Sequence, residues 1–125
     1  MKQQLLSLLL LLSFAACSQT TTTAYHNADN KAFAEQLEKE NVVILDVRTP
    51  EEYKEGHIPQ SVLLNYYDSD FETKIDALDK NKTYLVYCAS GGRSSKASAM
   101  MSGKEFKEIY NLQGGFSKWN GAREK

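Results

Sequence analysis

The segment Tyr84-Leu85-Val86-Tyr87-Cys88-Ala89-Ser90-Gly91-Gly92-Arg93-Ser94-Ser95 constrains this chain more than any other. Its first four residues form an apolar run that reads as a buried strand. The last two are good helix N-cap residues, so a helix is expected to begin at Ser94 or Ser95. Between them the backbone must reverse within a few residues. Gly91 and Gly92 permit this, because glycine takes positive φ at little steric cost. Successive N–H groups in such a curl form an anion-binding concavity, and a helix N-terminus adds partial positive charge. A thiol placed there is favoured as thiolate, the nucleophilic form. A cysteine ending an apolar strand is by itself an ordinary small buried residue. A glycine pair, an arginine and a helix start within the next few positions point instead to chemistry or anion binding at Cys88.

Strands and helices alternate along the rest of the chain. Asp29 or Asn30 can cap a helix running to about Glu40, with Phe33 and Leu37 on one face and Asn41 as its stop. Val42-Val43-Ile44-Leu45 reads as a strand covered on both sides, ending at Asp46-Val47-Arg48. Thr49-Pro50-Glu51-Glu52 carries helix-start chemistry: a cap, a first-turn proline and two acids at the positive end of the dipole. Gly56-His57-Ile58-Pro59 is a turn, and a short strand follows near Val62 to Leu64. Ser69 and Glu72 are spaced as a capping box for an amphipathic helix from about Ser69 to Leu78, with Phe71, Ile75 and Leu78 inward. After the cysteine loop, Ala97, Met100 and Met101 give the next helix its buried face, and Gly103 ends it. Glu108 to Leu112 is a last strand. Gly114-Gly115 turns the chain, and Phe116 and Trp119 cover the core from a final short helix. The alternation predicts an α/β fold: a mainly parallel sheet of about five short strands with helices on both faces.

Residues 1–16 read as a signal peptide: a positive charge at Lys2, then an uncharged leucine-rich run too short to span a bilayer. Phe14-Ala15-Ala16-Cys17 resembles a bacterial lipoprotein signal, with Phe14 where leucine is usual. That resemblance implies lipidation at Cys17, export, and a periplasmic or cell-envelope location. Residues 17–28 are expected to be a lipidated polar tether and 29–125 the folded domain. With two cysteines in the chain and Cys17 lipidated, Cys88 is the one free thiol, so no internal disulfide and no internal two-cysteine redox cycle is expected. The formal charge of −1 gives no electrostatic ground for binding nucleic acid, and no Cys/His cluster has metal-ligand spacing. No cofactor or metal is called for. A monomer is the simplest expectation, touching a membrane only through the N-terminal lipid.

Three segments together carry a family likeness: Val43 to Tyr53; Gly56-His57-Ile58-Pro59; and Cys88 to Ser94 with Tyr110 to Phe116 and Trp119. The chain resembles a single-domain rhodanese, a sulfurtransferase, from about Asp29 to Gly121. It departs at Gln60-Ser61, where the family usually has glycine then alanine. The resemblance implies that the Cys88 thiolate takes a sulfane sulfur from thiosulfate or a polysulfide or persulfide donor, and passes it from a persulfide to a thiol, cyanide or a protein acceptor. N–H groups from Ala89, Ser90, Gly91, Gly92 and Arg93 would steady the anion. Arg93 either binds the donor's sulfonate end or turns back onto a carboxylate such as Asp46. Arg48 is a weaker candidate for the donor anion. Asp46, His57 and Ser94 are read as structural support. Two alternatives stand beside this: a persulfide carrier or sensor, and a phosphatase or arsenate reductase. Related phosphate-binding loops have five residues between cysteine and arginine; this one has four, Ala89 to Gly92.

Overall fold

A computed structural model describes residues 24–125. The expected signal segment, Cys17 and the first part of the tether lie outside the described residues. Among the described residues, no helix is long and apolar enough to cross a membrane.

Five strands form one sheet. They are β1 (His26–Ala28), β2 (Val42–Asp46), β3 (Val62–Leu63), β4 (Thr83–Tyr87) and β5 (Glu108–Leu112). Their order is β1-β5-β4-β2-β3, and every neighbouring pair runs parallel. The helices are α1 (Asn30–Leu37), α2 (Pro50–Glu55), α3 (Phe71–Asp76) and α4 (Gly92–Ser102), with a 3-10 turn at Phe116–Lys118. This is the expected α/β fold with its parallel five-stranded sheet.

The strand alternation builds two cores, because successive side chains leave a strand on opposite faces. Ile44, Leu85, Tyr87 and Leu112 pack on one face with Phe33 of α1 and with Phe116 and Trp119. Leu45, Tyr84, Val86 and Ile109 pack on the other with Phe71 and Ile75 of α3 and Ala97 and Met101 of α4. β4 sits in the middle, so its carboxyl end is held from both sides.

Several boundaries differ from the sequence expectation. The sheet begins at His26, before the expected domain start at 29, because β1 pairs with β5 from His26↔Tyr110 to Ala28↔Leu112. His-Asn-Ala carries no strand pattern; tertiary pairing alone places it at this edge. The Ser69–Glu72 capping box is not formed: α3 starts at Phe71 with Asp70 as N-cap and no side-chain cap bond. Thr49 and Glu52 do form a full capping box at the head of α2. Gln60 holds φ 67°, a left-handed conformation that glycine adopts without cost. Ser61 is buried, with its Oγ 3.1 Å from the Tyr87 hydroxyl. The unusual Gln60-Ser61 pair thus keeps the bend and adds a polar contact beneath the sheet.

Candidate functional site

Cys88 is the first residue after β4 and is 1% exposed. The loop beyond it closes faster than the sequence pattern implies. Gly91, at φ 107°, is the residue that reverses the chain, and α4 already begins at Gly92. The helix therefore starts two or three residues earlier than Ser94 or Ser95. Ser94 is not a cap; it lies buried in the first turn of α4 and faces the sulfur.

The sulfur collects donors. The Gly91 N–H donates to Cys88 Sγ at 3.1 Å. Ser94 Oγ lies 3.3 Å from Sγ and 3.2 Å from the Gly91 carbonyl. One hydroxyl proton can serve either acceptor, so Ser94 can donate to a thiolate or to the carbonyl when sulfur holds its own proton. Burial pushes the thiol pKa up. Hydrogen bonds from the Ser94 hydroxyl and from the N–H groups of Ser94, Gly91 and Ser90 more than offset this, and the thiol ends below its ordinary value. Three consecutive features of sequence, the strand end, the glycine and the helix start, thus surround the sulfur with donors that favour its anion.

The loop is braced from behind by the second glycine turn. The Phe116 N–H donates to the Cys88 carbonyl at 2.8 Å, and the Ser117 N–H to the Ala89 carbonyl at 3.0 Å. This contact is close because Gly115, at φ 63°, has no side chain: a Cβ there would fall 2.5 Å from the carbonyl carbon and oxygen of Ala89. The Gly114-Gly115 pair reads in the sequence as a chain reversal. Its role under the cysteine loop emerges only from the packing.

The two arginines part company. Arg48 is 4% exposed and belongs to the scaffold, not to an anion site. Its Nε donates to Asp46 Oδ1 at 2.9 Å, and Nη2 donates to Asp46 Oδ2 and to the Gly56 carbonyl, both at 2.7 Å. Its guanidinium carbon lies 4.3 Å from the centre of the Phe116 ring. Its expected role toward a donor anion is therefore corrected, since these partners and the ring occupy the group. Asp46 also accepts the Tyr87 hydroxyl at 2.7 Å, and burial followed by this negative neighbour raises the Tyr87 pKa.

Arg93 does turn onto a carboxylate, but the carboxylate is Glu52, because Asp46 is already taken. Nη1 donates to Glu52 Oε1 at 2.8 Å and Nη2 to Oε2 at 3.0 Å. Glu52 was not singled out by the sequence beyond its place in a helix start. Its pairing joins residues 41 apart, and only the capping-box spacing to Thr49 hints that its side chain is held. His57 is buried and stacked on Tyr53, with ring centres 3.7 Å apart; Nδ1 lies 2.9 Å from the Tyr53 carbonyl and Nε2 3.3 Å from Glu124. Among the described residues, no His/Cys/Asp/Glu group is arranged to hold a metal ion.

Known proteins share this arrangement of sequence and fold. The family model for the Rhodanese-like domain matches residues 29–122. Thiosulfate sulfurtransferase GlpE of Pseudomonas syringae pv. syringae (strain B728a) is 37% identical over 87 residues, covering 69% of this chain and 79% of that protein. GlpE of Coxiella burnetii (strain RSA 493 / Nine Mile phase I) is 35% identical over 85 residues, covering 68% of this chain and 78% of its own length. The crystal structure of a rhodanese-related protein from Thermoplasma volcanium superposes with a TM-score of 0.70 at 26% identity, covering 80% of this chain and 98% of that one. With a parallel sheet, a cysteine loop at the carboxyl end of its central strand and matches that run through almost all of the described domain, this chain belongs to the rhodanese-like family and is a sulfurtransferase of that kind.

Proposed function

We infer that the protein carries sulfane sulfur as a Cys88 persulfide, taking it from thiosulfate or a polysulfide or persulfide and giving it to a thiol, cyanide or a protein acceptor. The observation that carries this reading is the Cys88 sulfur itself, hydrogen-bonded by the Gly91 N–H and Ser94 Oγ in a loop that favours the anion. In the first half-reaction the thiolate attacks the outer sulfur of the donor. A new S–S bond forms and the donor's S–S bond breaks, its electron pair leaving on sulfite or on a thiolate. In the second, the acceptor attacks the outer sulfur of the persulfide and Cys88 returns as thiolate. Splitting the transfer in two replaces one difficult encounter with two easier ones. The added sulfur extends the buried side chain by about 2 Å, one S–S bond, while the loop donors remain aimed at negative charge.

The tight four-residue loop holds a single sulfur more closely than a tetrahedral oxyanion, which favours sulfur transfer over phosphate or arsenate chemistry. The N-terminal sequence supports a working location on the outer side of a membrane, periplasmic or in the cell envelope, with lipid at Cys17 as the anchor. Intact-mass spectrometry after incubation with thiosulfate tests the chemistry. A gain of one sulfur atom, lost on adding cyanide and absent in Cys88→Ala, is expected; a full gain in Cys88→Ala would sink the reading.

A further inference from the structure

The Arg93–Glu52 pair joins the helix start behind the cysteine loop to the head of α2, and both of its side chains are held by further contacts. Glu52 is fixed on its own account. Its Oε1 accepts from the Thr49 hydroxyl at 3.1 Å and the Thr49 N–H at 3.3 Å, inside the capping box of α2. Arg93 is fixed on the other element, in the first turn of α4, one residue before Ser94. The two side chains are only 18% and 31% exposed, so water screens them incompletely. Tyr67 stands on the outer side, its ring centre 5.4 Å from the guanidinium carbon. A guanidinium so placed would draw anionic donors and further stabilise a thiolate. Glu52 cancels that charge where it arises.

We propose that Glu52 is a positioning residue that sets donor preference: by neutralising and holding Arg93 it tunes the site toward sulfane donors of low charge, such as persulfides of uncharged thiols, and against the thiosulfate dianion. This rests on the Cys88 persulfide reading. Arg93 lies in the first turn of α4, directly before Ser94, whose Oγ is 3.3 Å from the sulfur, so its charge belongs to the same helix start that faces Cys88. Its hydrogen bonds hold Glu52 near pKa 2, so the carboxylate stays ionised wherever the thiolate works. Either donor obeys the same balance. Cys88 Sγ bonds to the outer sulfur, the donor S–S bond breaks, and its electron pair leaves on sulfite or on the thiolate of the carrier thiol.

The test is Glu52→Gln, which keeps side-chain reach for the capping box and removes the charge. Sulfur uptake by the full chain would be followed by intact mass at varied concentrations of thiosulfate and of 2-mercaptoethanol persulfide. The ratio of kcat/KM, thiosulfate over persulfide, is expected to rise about tenfold, most of it in KM, as for a charge uncovered at a cleft. The pH profile of Cys88 alkylation by iodoacetamide should move down by about one unit. Both changes should vanish when Glu52→Gln is made in an Arg93→Gln background, since Glu52 acts through Arg93. An unchanged or lower ratio in Glu52→Gln, or the same rise without Arg93, would overturn the proposal. Wild-type protein that accepts sulfur from neither donor would instead overturn the persulfide reading, and the alkylation profile would still decide whether Glu52 controls the charge at the thiol.

Discussion

Asp46–Arg48 and Glu52–Arg93 are both two-point arginine–carboxylate pairs, and they do different work. The first joins residues two apart in sequence and is sealed: the side chains are 5% exposed for Arg48 and 0% for Asp46. Its remaining valences go to the Gly56 carbonyl, the Arg48 N–H and the Tyr87 hydroxyl, tying β2, β4 and the turn after α2 together. The second joins residues 41 apart, beside the cysteine loop and partly open to water. Identical chemistry thus yields a scaffold in one place and an adjustable charge in the other. Burial decides which, because a sealed ion that loses its partner cannot turn to solvent.

Breaking the buried pair should have the largest effect. Asp46→Ala strands the Arg48 guanidinium and the Tyr87 hydroxyl, and is expected to lower stability by about 3–5 kcal/mol in urea denaturation. A loss under about 1 kcal/mol would mean that Arg48 reaches water and that the two pairs are alike after all. Gly115→Ala disturbs the brace between them, driving a Cβ into the Ala89 backbone. It is expected to cost about 1–3 kcal/mol, the usual range for overpacking, and to slow sulfur uptake more than a surface change of equal stability cost.

Cutting the outer pair should separate stability from activity. Arg93→Gln is expected to change stability by less than about 1 kcal/mol, as for partly exposed pairs, yet to reduce sulfur uptake from thiosulfate about tenfold, because it leaves the Glu52 carboxylate uncompensated against an anionic donor. Equal losses in both would place Arg93 with Arg48 in the scaffold. Acid sharpens the contrast further. Glu52 is drawn from 4.5 to about 2, first by its hydrogen bond to Arg93. A carboxylate depressed by folding contributes fully above its unfolded value and loses that contribution as pH falls through its folded one. The stability of wild type over Glu52→Gln should therefore hold above pH 4.5 and shrink toward pH 2; a flat difference would show that the pair adds nothing to folding. The smallest effect belongs to Gly92→Ala. Nothing lies within 4 Å of a Cβ there, and the residue is already helical, so a change within about 0.5 kcal/mol is expected in the same denaturation measurement. A larger loss would mean that Gly92, like Gly91, is needed for the turn.

Much of the fold and part of the site were legible in the sequence, for a local reason. The strand end, Gly91, Arg93 and the start of α4 lie within one short segment, so that segment carries both the Cys88 sulfur and its donors. β2, β4 and β5 announce themselves by apolar content, and α2 by its cap, its proline and its acids. Ser94 was visible as a helix-start residue, but which atom its hydroxyl meets depends on how sharply Gly91 turns. Arg48 reads in the sequence only as a charged residue emerging from a strand; the carboxylate, carbonyl and ring that enclose it come from the packing.

The sequence alone determined the parallel α/β order, the identity of Cys88 as the loop thiol and the helix behind it, because these follow from short-range propensity and from periodicity within single elements. Tertiary structure decided the rest. It recruited His26–Ala28 as an edge strand, set Gly115 beneath Ala89, sealed Arg48 against Asp46 and brought Glu52 to Arg93. Each of these depends on a distance between residues far apart in the chain or on exclusion of water, and no local pattern encodes either quantity.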